Sequence, residues 1–270
     1  MPCLHPIRFL PEKERKCVFS SLFSCIFRNF ADEMKKKAIV MGASSGLGRE
    51  VAMLLIEQGW SVGVAARRED RLRQLPADAM MTIDVTAPDA ADRLQQLADM
   101  LGGMNLYFHA SGIGHQNRQL TEQTEIDTVM TNGVGFTRMV GAAYRYMAEH
   151  GGGHIAVISS IAGTKGLGPA PSYSATKALQ NVYIEALEQQ ARARRLNIRF
   201  TDIRPGFADT DLLNDGRRYP MLLHPHDVAR DAMESIAKER HVRVVDWRWR
   251  VVTRLWRCIP RWLWRRITFI

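Results

Sequence analysis

The sequence predicts an α/β domain in which a doubly wound parallel sheet lies between two layers of helices, three layers in all. From residue 37 onward, short apolar runs alternate with longer amphipathic runs, and the apolar runs contain no regular polar alternation. Such runs are typical of parallel strands covered on both faces. With 270 residues, of which 46% are hydrophobic, the chain can bury one large core, so we expect a single domain.

Each short apolar run is interpreted as a strand, and helix-length amphipathic sequence follows the strands. The first strand leads into a helix that extends to Gln58, and the second leads into a helix near Arg71. This βαβα order predicts crossover helices on both faces of the sheet. The predicted strands are 38–41, 61–65, 80–83, 106–108, 154–158 and 198–203, with 241–245 as a candidate last strand.

Residues 1–33 do not resemble the start of this domain, which we place at 34–245. Their apolar run, 18–27, is too short to span a bilayer, and the small residues of a signal-peptide cleavage site do not follow it. Met34 precedes three lysines and the first strand, so residues 1–33 are interpreted as a disordered leader or as sequence upstream of the true start. The cysteines, Cys3, Cys17, Cys25 and Cys258, predict neither a disulfide framework nor a metal site, and favour a reduced, cytoplasmic compartment.

Residues 246–270 form a basic tail rich in tryptophan, divided by Pro260. Residues 243–270 contain eight Arg and one Asp, a charge of +7, whereas the whole chain carries +9. The basic character is therefore local. An amphipathic segment of this kind suits the surface of an anionic membrane, peripherally bound, but its apolar face can equally pack on the domain or on a second copy in a homo-oligomer. Nucleic acid is the least favoured partner, because nothing else in the chain is basic.

A glycine-rich loop joins the first strand to the first helix, the context in which a dinucleotide-binding Rossmann fold places its fingerprint. The spacing is G-x-x-x-G-x-G. Glycines permit a tight turn with positive φ, and the helix N-terminus stabilises a pyrophosphate. The predicted cofactor-binding residues of this loop are Gly42, Ser44, Ser45, Gly46, Leu47 and Gly48.

The end of the second strand predicts the choice of cofactor. A carboxylate there binds the ribose 2′-hydroxyl of NAD, whereas a cation binds the 2′-phosphate of NADP. Arg67 and Arg68 stand at this position, so the sequence favours NADP(H) over NAD(H). The alternative is that both arginines belong to a solvated, charged turn that binds no cofactor. Asp84, after the third strand, is predicted to orient the adenine, although an aspartate there can also cap a turn.

Tyr173 and Lys177 are spaced i, i+4 on a predicted helix, which places both side chains on one face. An ammonium beside a phenol favours the phenolate and is expected to lower the tyrosine pKa from its usual value near 10. The pair can thus act in proton transfer. Such a pair also occurs by chance on many helices, and its meaning depends on the residues around it.

Several motifs agree in order and spacing with one family: residues 35–245 resemble the short-chain dehydrogenase/reductase (SDR) family. The resemblance rests on the glycine loop, Tyr173 with Lys177, Ser160 in the segment 158–163, Asn132, and Pro205-Gly206 through Thr210. Two positions depart from the family pattern. Met41 replaces a usual threonine, and His109 stands in a fourth-strand motif that usually reads Asn-Asn-Ala-Gly; His109 is interpreted as structural, with a catalytic role as the alternative.

The resemblance implies hydride transfer between NADP(H) and a carbonyl or alcohol. Tyr173 would be the general acid and base, Ser160 would bind the substrate oxygen, and Lys177 would bind the ribose. Asn132 would hold a water that links Lys177 to solvent, and Ser159 would be structural. Tyr173 would also contact the cofactor, and the other cofactor-binding residues that the resemblance implies are Val85, Ala110, Gly112, Pro205, Gly206 and Thr210.

The segment between Gly206 and His226 is the predicted lid over the substrate. Its apolar residues, Phe207, Leu212, Leu213, Tyr219, Met221 and Leu222, suit a small hydrophobic carbonyl compound or alcohol. Three other functions stay open: an inactive NADPH sensor, a membrane scaffold that works through the tail, and an epimerase or dehydratase that uses the same Tyr-Lys pair. The intact relay favours the reductase.

Overall fold

A computed structural model describes residues 35–213, 216 and 218–267. The interpretation of residues 1–33 falls outside these described residues. Their architecture is a seven-stranded parallel sheet in the order β3-β2-β1-β4-β5-β6-β7. The strands are β1 (Lys37–Met41), β2 (Ser61–Ala66), β3 (Ala79–Thr82), β4 (Leu106–His109), β5 (Gly153–Ile158), β6 (Ile198–Arg204) and β7 (Val242–Val244). All seven predicted strands are confirmed, with ends that differ by a residue or two.

Helices connect the strands and cover both faces of the sheet. They are α1 (Gly46–Glu57), α2 (Glu69–Leu72), α3 (Ala90–Leu101), α4 (Glu122–Val129), α5 (Phe136–Glu149), α6 (Pro171–Ala193), α7 (Pro225–Ala237), α8 (Trp247–Cys258) and α9 (Arg261–Trp264). A π-helical segment, Met130–Gly135, joins α4 directly to α5. π-helical turns are rare and occur often at functional sites.

The core consists of two apolar layers, one on each face of the sheet. In β1, Ile39 and Met41 face the layer that contains residues of α3, α5 and α6, whereas Ala38 and Val40 face the layer that contains residues of α1 and α7. Successive strand side chains point to opposite faces, and here both faces are apolar. The pattern that predicted a three-layer, doubly wound Rossmann fold is thereby explained and the fold is confirmed.

The strand order reverses between β1 and β4, which lie side by side in the centre of the sheet. In doubly wound sheets, ligands bind in the crevice beyond the carboxyl ends of the strands at this point. The glycine loop follows β1, residues 110–112 follow β4, and Ser160 follows β5. The topology therefore brings the predicted site residues to one edge of the sheet.

Residues Lys37–Ile270 form one compact unit, which includes the described part of the tail. Trp249 and Trp264 are buried, and the Trp264 indole donates a hydrogen bond to the Gly166 carbonyl at 2.7 Å. Within this part of the chain, no helix is both long and apolar enough to cross a membrane.

Candidate active site

The glycine loop is tightly packed against the segment that follows β4. Gly42 has φ +90°, and a side chain there would place Cβ 2.6 Å from the Ser111 nitrogen. At Gly48, Cβ would lie 2.3 Å from the Gly42 carbonyl oxygen, and Gly46 has φ +54°. Only glycine fits these positions. Helix α1 then begins at Gly46 with no acidic side chain in its first turn, so its free amides can bind a pyrophosphate.

Arg68 lies beside the hydroxyls of this loop. Its guanidinium donates to Ser44 Oγ at 3.0 Å and to Ser45 Oγ at 2.7 Å. Asp211, from the lid, lies 3.8 Å from Arg68 and 3.1 Å from Arg71. A guanidinium and two hydroxyls together form a site that matches a phosphate group. Arg67 lies near Asp84 instead, where its charge helps to lower the carboxyl pKa.

Asp84 is engaged in a turn. One carboxylate oxygen accepts hydrogen bonds from the Thr86 amide at 2.9 Å and the Thr86 hydroxyl at 2.7 Å. Burial raises the pKa of Asp84, but these hydrogen bonds and the charge of Arg67 outweigh burial, and the pKa is lowered overall. Val85 is buried, and its carbonyl accepts from Arg138 at 2.9 Å. The adenine-orienting role of Asp84 and the cofactor-binding role of Val85 stay predictions.

Tyr173 lies in the first turn of α6, facing the segment after β5. Burial raises the pKa of its phenol, and a hydrogen bond with the Ser160 side chain opposes this shift. The sequence predicted that the Lys177 ammonium would lower the Tyr173 pKa, but desolvation of the phenol outweighs any such effect and the pKa is raised. The phenol is therefore protonated at neutral pH, the form that a proton donor requires. Ser159 donates its hydroxyl to the Asp202 carboxylate, away from Tyr173.

Lys177 is buried, 5% exposed, one turn after Tyr173. Its ammonium lies 5.7 Å from the centre of the Tyr173 ring and donates to the Ile158 carbonyl at 3.1 Å and to Gln180 Oε1 at 2.9 Å. Burial lowers the pKa of Lys177 to about 8, although the charge of Asp202 opposes the shift. An ammonium has three N–H donors, so after these two hydrogen bonds one N–H remains to donate to a bound ligand.

Asn132 lies in the π-helical segment and is fully buried. Its side-chain amide is satisfied by the Ile113 backbone, accepting at 2.9 Å and donating at 2.7 Å. Its backbone carbonyl accepts from Gln180 Nε2 at 2.9 Å. Sequence reasoning missed Gln180, which joins Lys177 to Asn132 directly. Its position three residues after Lys177 is the only local signal that could have pointed to it.

His109 ends β4 as a packed residue. Its ring meets Phe136 edge-on at 5.1 Å, and Nδ1 shares a hydrogen bond of 2.8 Å with the Tyr107 hydroxyl. Burial, with a smaller effect of the Lys177 charge, lowers the pKa of His109 to about 3, so the imidazole is neutral. After His109, the Ala110 amide donates to the Met41 carbonyl at 2.8 Å and so extends the hydrogen bonding between β4 and β1. Gly112 lies close to Asn132, since a Cβ at Gly112 would be 3.2 Å from Asn132 Oδ1.

The turn after β6 carries Pro205, Gly206 and Thr210, and the tail packs against it. The Pro205 carbonyl accepts from the Ile161 amide at 3.2 Å, next to Ser160. A side chain at Gly206 would place Cβ 2.2 Å from the Trp249 indole, whose Nε1 donates to the Met221 carbonyl at 3.2 Å. Thr210 lies against the glycine loop, since a Cβ at Gly46 would be 3.2 Å from its methyl group.

The lid brings Leu212 close to Tyr173. A Cβ at Gly114 would lie 2.7 Å from the Tyr173 ring and 3.4 Å from Leu212. Further along, the rings of Phe207 and Tyr219 pack with centres 4.7 Å apart. Among the described residues, no group of three or more His, Cys, Asp or Glu side chains could hold a metal ion.

The profile of the short chain dehydrogenase family matches residues 36–219. The chain belongs to the short-chain dehydrogenase family. An uncharacterized oxidoreductase of Myxococcus xanthus is 30% identical over 242 residues, which cover 85% of this chain and 95% of that protein.

Solved structures share the fold of this chain. A Thermococcus sibiricus alcohol dehydrogenase complexed with 5-hydroxy-NADP has a TM-score of 0.69 at 21% identity, over 78% of this chain and 96% of that one. An actinorhodin polyketide ketoreductase with NADPH has a TM-score of 0.68 at 24% identity, over 78% of this chain and 95% of that one. At these identities the likeness concerns the fold alone.

Short-chain dehydrogenases use nicotinamide cofactors, and this chain fits such a group. The glycine loop makes a tight turn that a Cβ at Gly42 or Gly48 would block by colliding with backbone atoms. The amides at the start of α1, with no acidic side chain beside them, can bind a pyrophosphate. The adjoining site, which matches a phosphate group, consists of Arg68, Ser44 and Ser45. Lys177 and Tyr173 lie beyond the switch point, where the nicotinamide half would extend.

Proposed function

We propose that this protein is an NADP(H)-dependent oxidoreductase that interconverts a hydrophobic carbonyl compound and its alcohol. The observation that carries the proposal is the cluster of Tyr173, Ser160 and Lys177. The Tyr173 phenol lies beside the Ser160 side chain, and the buried Lys177 ammonium lies 5.7 Å from the centre of its ring. The placement of Arg68 over Ser44 and Ser45 supports NADP(H) rather than NAD(H).

In the reductive direction, bound NADPH supplies the hydride that the carbonyl carbon accepts. Ser160 and Tyr173 both donate hydrogen bonds to the carbonyl oxygen, and negative charge grows on that oxygen as the reaction proceeds. The Tyr173 hydroxyl gives its proton to the oxygen, which leaves a phenolate beside the Lys177 ammonium. The positive charge of Lys177 stabilises this phenolate.

Gln180 is proposed as a positioning residue for Lys177. Its carboxamide oxygen accepts from the ammonium and its nitrogen donates to the Asn132 carbonyl, so its orientation is fixed by chemistry. Gln180 is 1% exposed, so this bridge lies in the interior. Asn132 is therefore linked to Lys177 through the Gln180 side chain, in addition to any water that the Asn132 carbonyl holds.

The test is NADPH oxidation against a panel of aldehydes, ketones and quinones, comparing the wild type with Tyr173→Phe. Loss of a general acid lowers catalytic rates about 10²–10⁴-fold, so kcat/KM should fall within this range. Binding of NADPH, followed by its fluorescence, should change little, because the phenol is not part of the phosphate site.

Two results would overturn the proposal. If NADPH binds but every carbonyl and alcohol is inert, and Tyr173→Phe behaves identically, the protein is an NADPH sensor. If both proteins turn over one substrate equally, the proton comes from another group.

The apolar lid supports the choice of substrate class. A side chain at Gly114 would meet both Tyr173 and Leu212, and Phe207 packs on Tyr219. We expect kcat/KM to increase with the apolar area of the carbonyl compound, as burial of apolar surface in a pocket predicts. An equal response to acetaldehyde and to aromatic ketones would contradict this.

A homo-oligomer is proposed through the outer faces of α4 and α6. Helix α4 packs beside α6, and their exposed apolar residues include Ile126 (52% exposed), Val129 (41%) and Val182 (65%). Exposed apolar side chains on adjacent helices are typical of an interface. Light scattering should give a dimer or larger assembly for the wild type and a smaller mass for Val182→Lys; a wild-type monomer would exclude this interface.

A further inference from the structure

We propose that the outer face of the tail docks on the surface of an anionic membrane, and that docking holds the mouth of the substrate pocket at the lipid surface. The docking stands on the geometry of α8 and α9 alone. Only its consequence for the substrate, a lipid-soluble carbonyl compound, rests on the proposed function.

Helix α8 has two apolar faces, and the domain covers only one. Trp249 and Thr253 are both 3% exposed and point inward. On the opposite side, Trp247, Val251 and Leu255 are 65%, 46% and 62% exposed. Their i, i+4, i+8 spacing puts these three side chains in one row along the helix. We call them the outer row.

The same division continues after Pro260. Trp264 is buried and held by its hydrogen bond to Gly166, whereas Trp262, Leu263 and Ile267 are 61%, 40% and 39% exposed. Tryptophan indoles are favoured at the headgroup level of a bilayer, and aliphatic side chains penetrate slightly deeper. The tail is thus fixed to the protein on one side and leaves apolar side chains free on the other.

Exposed arginines border the outer row. Arg254, Arg257, Arg261, Arg265 and Arg266 are exposed, and within the described part of the chain none of them lies within ion-pair distance of a carboxylate. By contrast, Arg243 and Arg248, nearer the domain, are paired with Asp231 and Asp246. A cluster of unpaired arginines attracts an anionic surface, by about 1 kcal/mol for each charge near the headgroups in general.

This combination of chemistry favours a membrane over the other occupants. A second copy that docked through the outer row about a twofold axis would bring two sets of the same arginines together. Nucleic acid would neutralise the arginines but would offer Val251 and Leu255 no apolar environment. An anionic bilayer surface satisfies both groups of side chains.

The tail is also in contact with both walls of the candidate active site. Trp249 packs on Gly206 and binds the Met221 carbonyl of the lid. On the other wall, which follows Ser160, Lys165 donates to the Ile259 carbonyl at 2.8 Å and Gly166 accepts from Trp264. A tail anchored on lipid therefore keeps the lid and the serine segment beside the bilayer.

The test is flotation of the full-length protein with vesicles of phosphatidylcholine alone and of phosphatidylcholine with phosphatidylglycerol. The wild type should float with the anionic vesicles about tenfold more than with the neutral ones. The triple variant Trp247→Ser, Leu255→Ser, Trp262→Ser should lose flotation about tenfold. Met100→Ser is the matched control, since Met100 on α3 is equally exposed, at 62%, and should float as the wild type does.

A second variant tests the charges: Arg254→Gln, Arg257→Gln, Arg265→Gln should abolish the preference for anionic vesicles. Circular dichroism melting should be unchanged for both triple variants, because every altered side chain is exposed. Equal flotation of wild type and triple serine variant would overturn the proposal. So would a lipid-free oligomer that the serine variant dissociates, or binding to an oligonucleotide but not to vesicles. NADPH oxidation is measured separately, and its absence in a protein that floats would refute the enzyme function and leave the docking intact.

Discussion

At the scale of single residues, the charge of Lys177 is expected to determine how the catalytic rate depends on pH. Burial lowers its pKa to about 8, so the ammonium is complete well below pH 8 and is lost as pH rises through that value. Since the charge stabilises the Tyr173 phenolate, we expect the reductive kcat to fall above about pH 8. A flat profile to pH 10 in a pH series of kcat would contradict this role.

Gln180 provides a sharper form of the same prediction. Gln180→Leu removes an acceptor from the ammonium, which lowers the Lys177 pKa, and the falling limb should move to lower pH. Gln180→Glu adds a carboxylate 2.9 Å away in place of the amide oxygen, and the limb should move to higher pH. If Gln180 only filled space, the two substitutions could not shift the high-pH decrease of kcat in opposite directions. Ile184→Val, a buried change one turn later on α6, should leave the pH profile unchanged.

Arg68 is expected to decide the cofactor. Arg68→Leu should raise the Kd of NADPH about 10–100-fold and leave that of NADH nearly unchanged, because a hydrogen bond to a charged group contributes about 1.5–3 kcal/mol. Arg73→Leu is the control, since Arg73 lies on the same segment but pairs with Glu69. Equal losses for both cofactors, by titration calorimetry, would place the 2′-phosphate elsewhere.

At the scale of elements, the contact between α8 and the turn after β6 joins the tail to the site. Gly206→Ala would force a methyl group into the Trp249 ring, and overpacking of this kind costs about 1–3 kcal/mol. The free energy of unfolding, from urea titration, should fall accordingly. Gly168→Ala, where a Cβ meets nothing within 4 Å, should change it little.

The double variant Gly206→Ala, Trp249→Leu completes this test. Because a smaller side chain leaves room for the methyl group, the double variant should lose less stability than the two single changes together. Strict additivity would mean that the two residues do not press on each other.

At the scale of the whole molecule, the tail contributes to the fold as well as to the proposed docking. A chain ended at Val245 loses Trp249, and removal of a buried tryptophan ring costs about 3–5 kcal/mol. We expect this truncation to lower both the melting temperature and the NADPH oxidation rate. The triple serine variant and the triple glutamine variant should do neither. Thermal melts that leave the truncated chain as stable as the full one would show that α8 is dispensable for folding.

The sequence by itself determined the fold class and the strands, and it placed Tyr173 and Lys177 on one helix. Apolar runs without alternation specify strands covered on both faces, and the i, i+4 spacing of Tyr173 and Lys177 specifies one helix face, since both are local patterns. The order of the motifs then identified the family, which its match to residues 36–219 confirms.

The tertiary structure alone decided which distant groups meet. Gln180 reaches Asn132 across 48 positions of sequence, and the indole of Trp249 lies on Gly206. Arg68, and not Arg67, lies over the loop hydroxyls, while burial rather than the neighbouring ammonium sets the direction of the Tyr173 pKa. These outcomes depend on how helices and turns sit on the sheet and on how much water they exclude, and no local pattern encodes either.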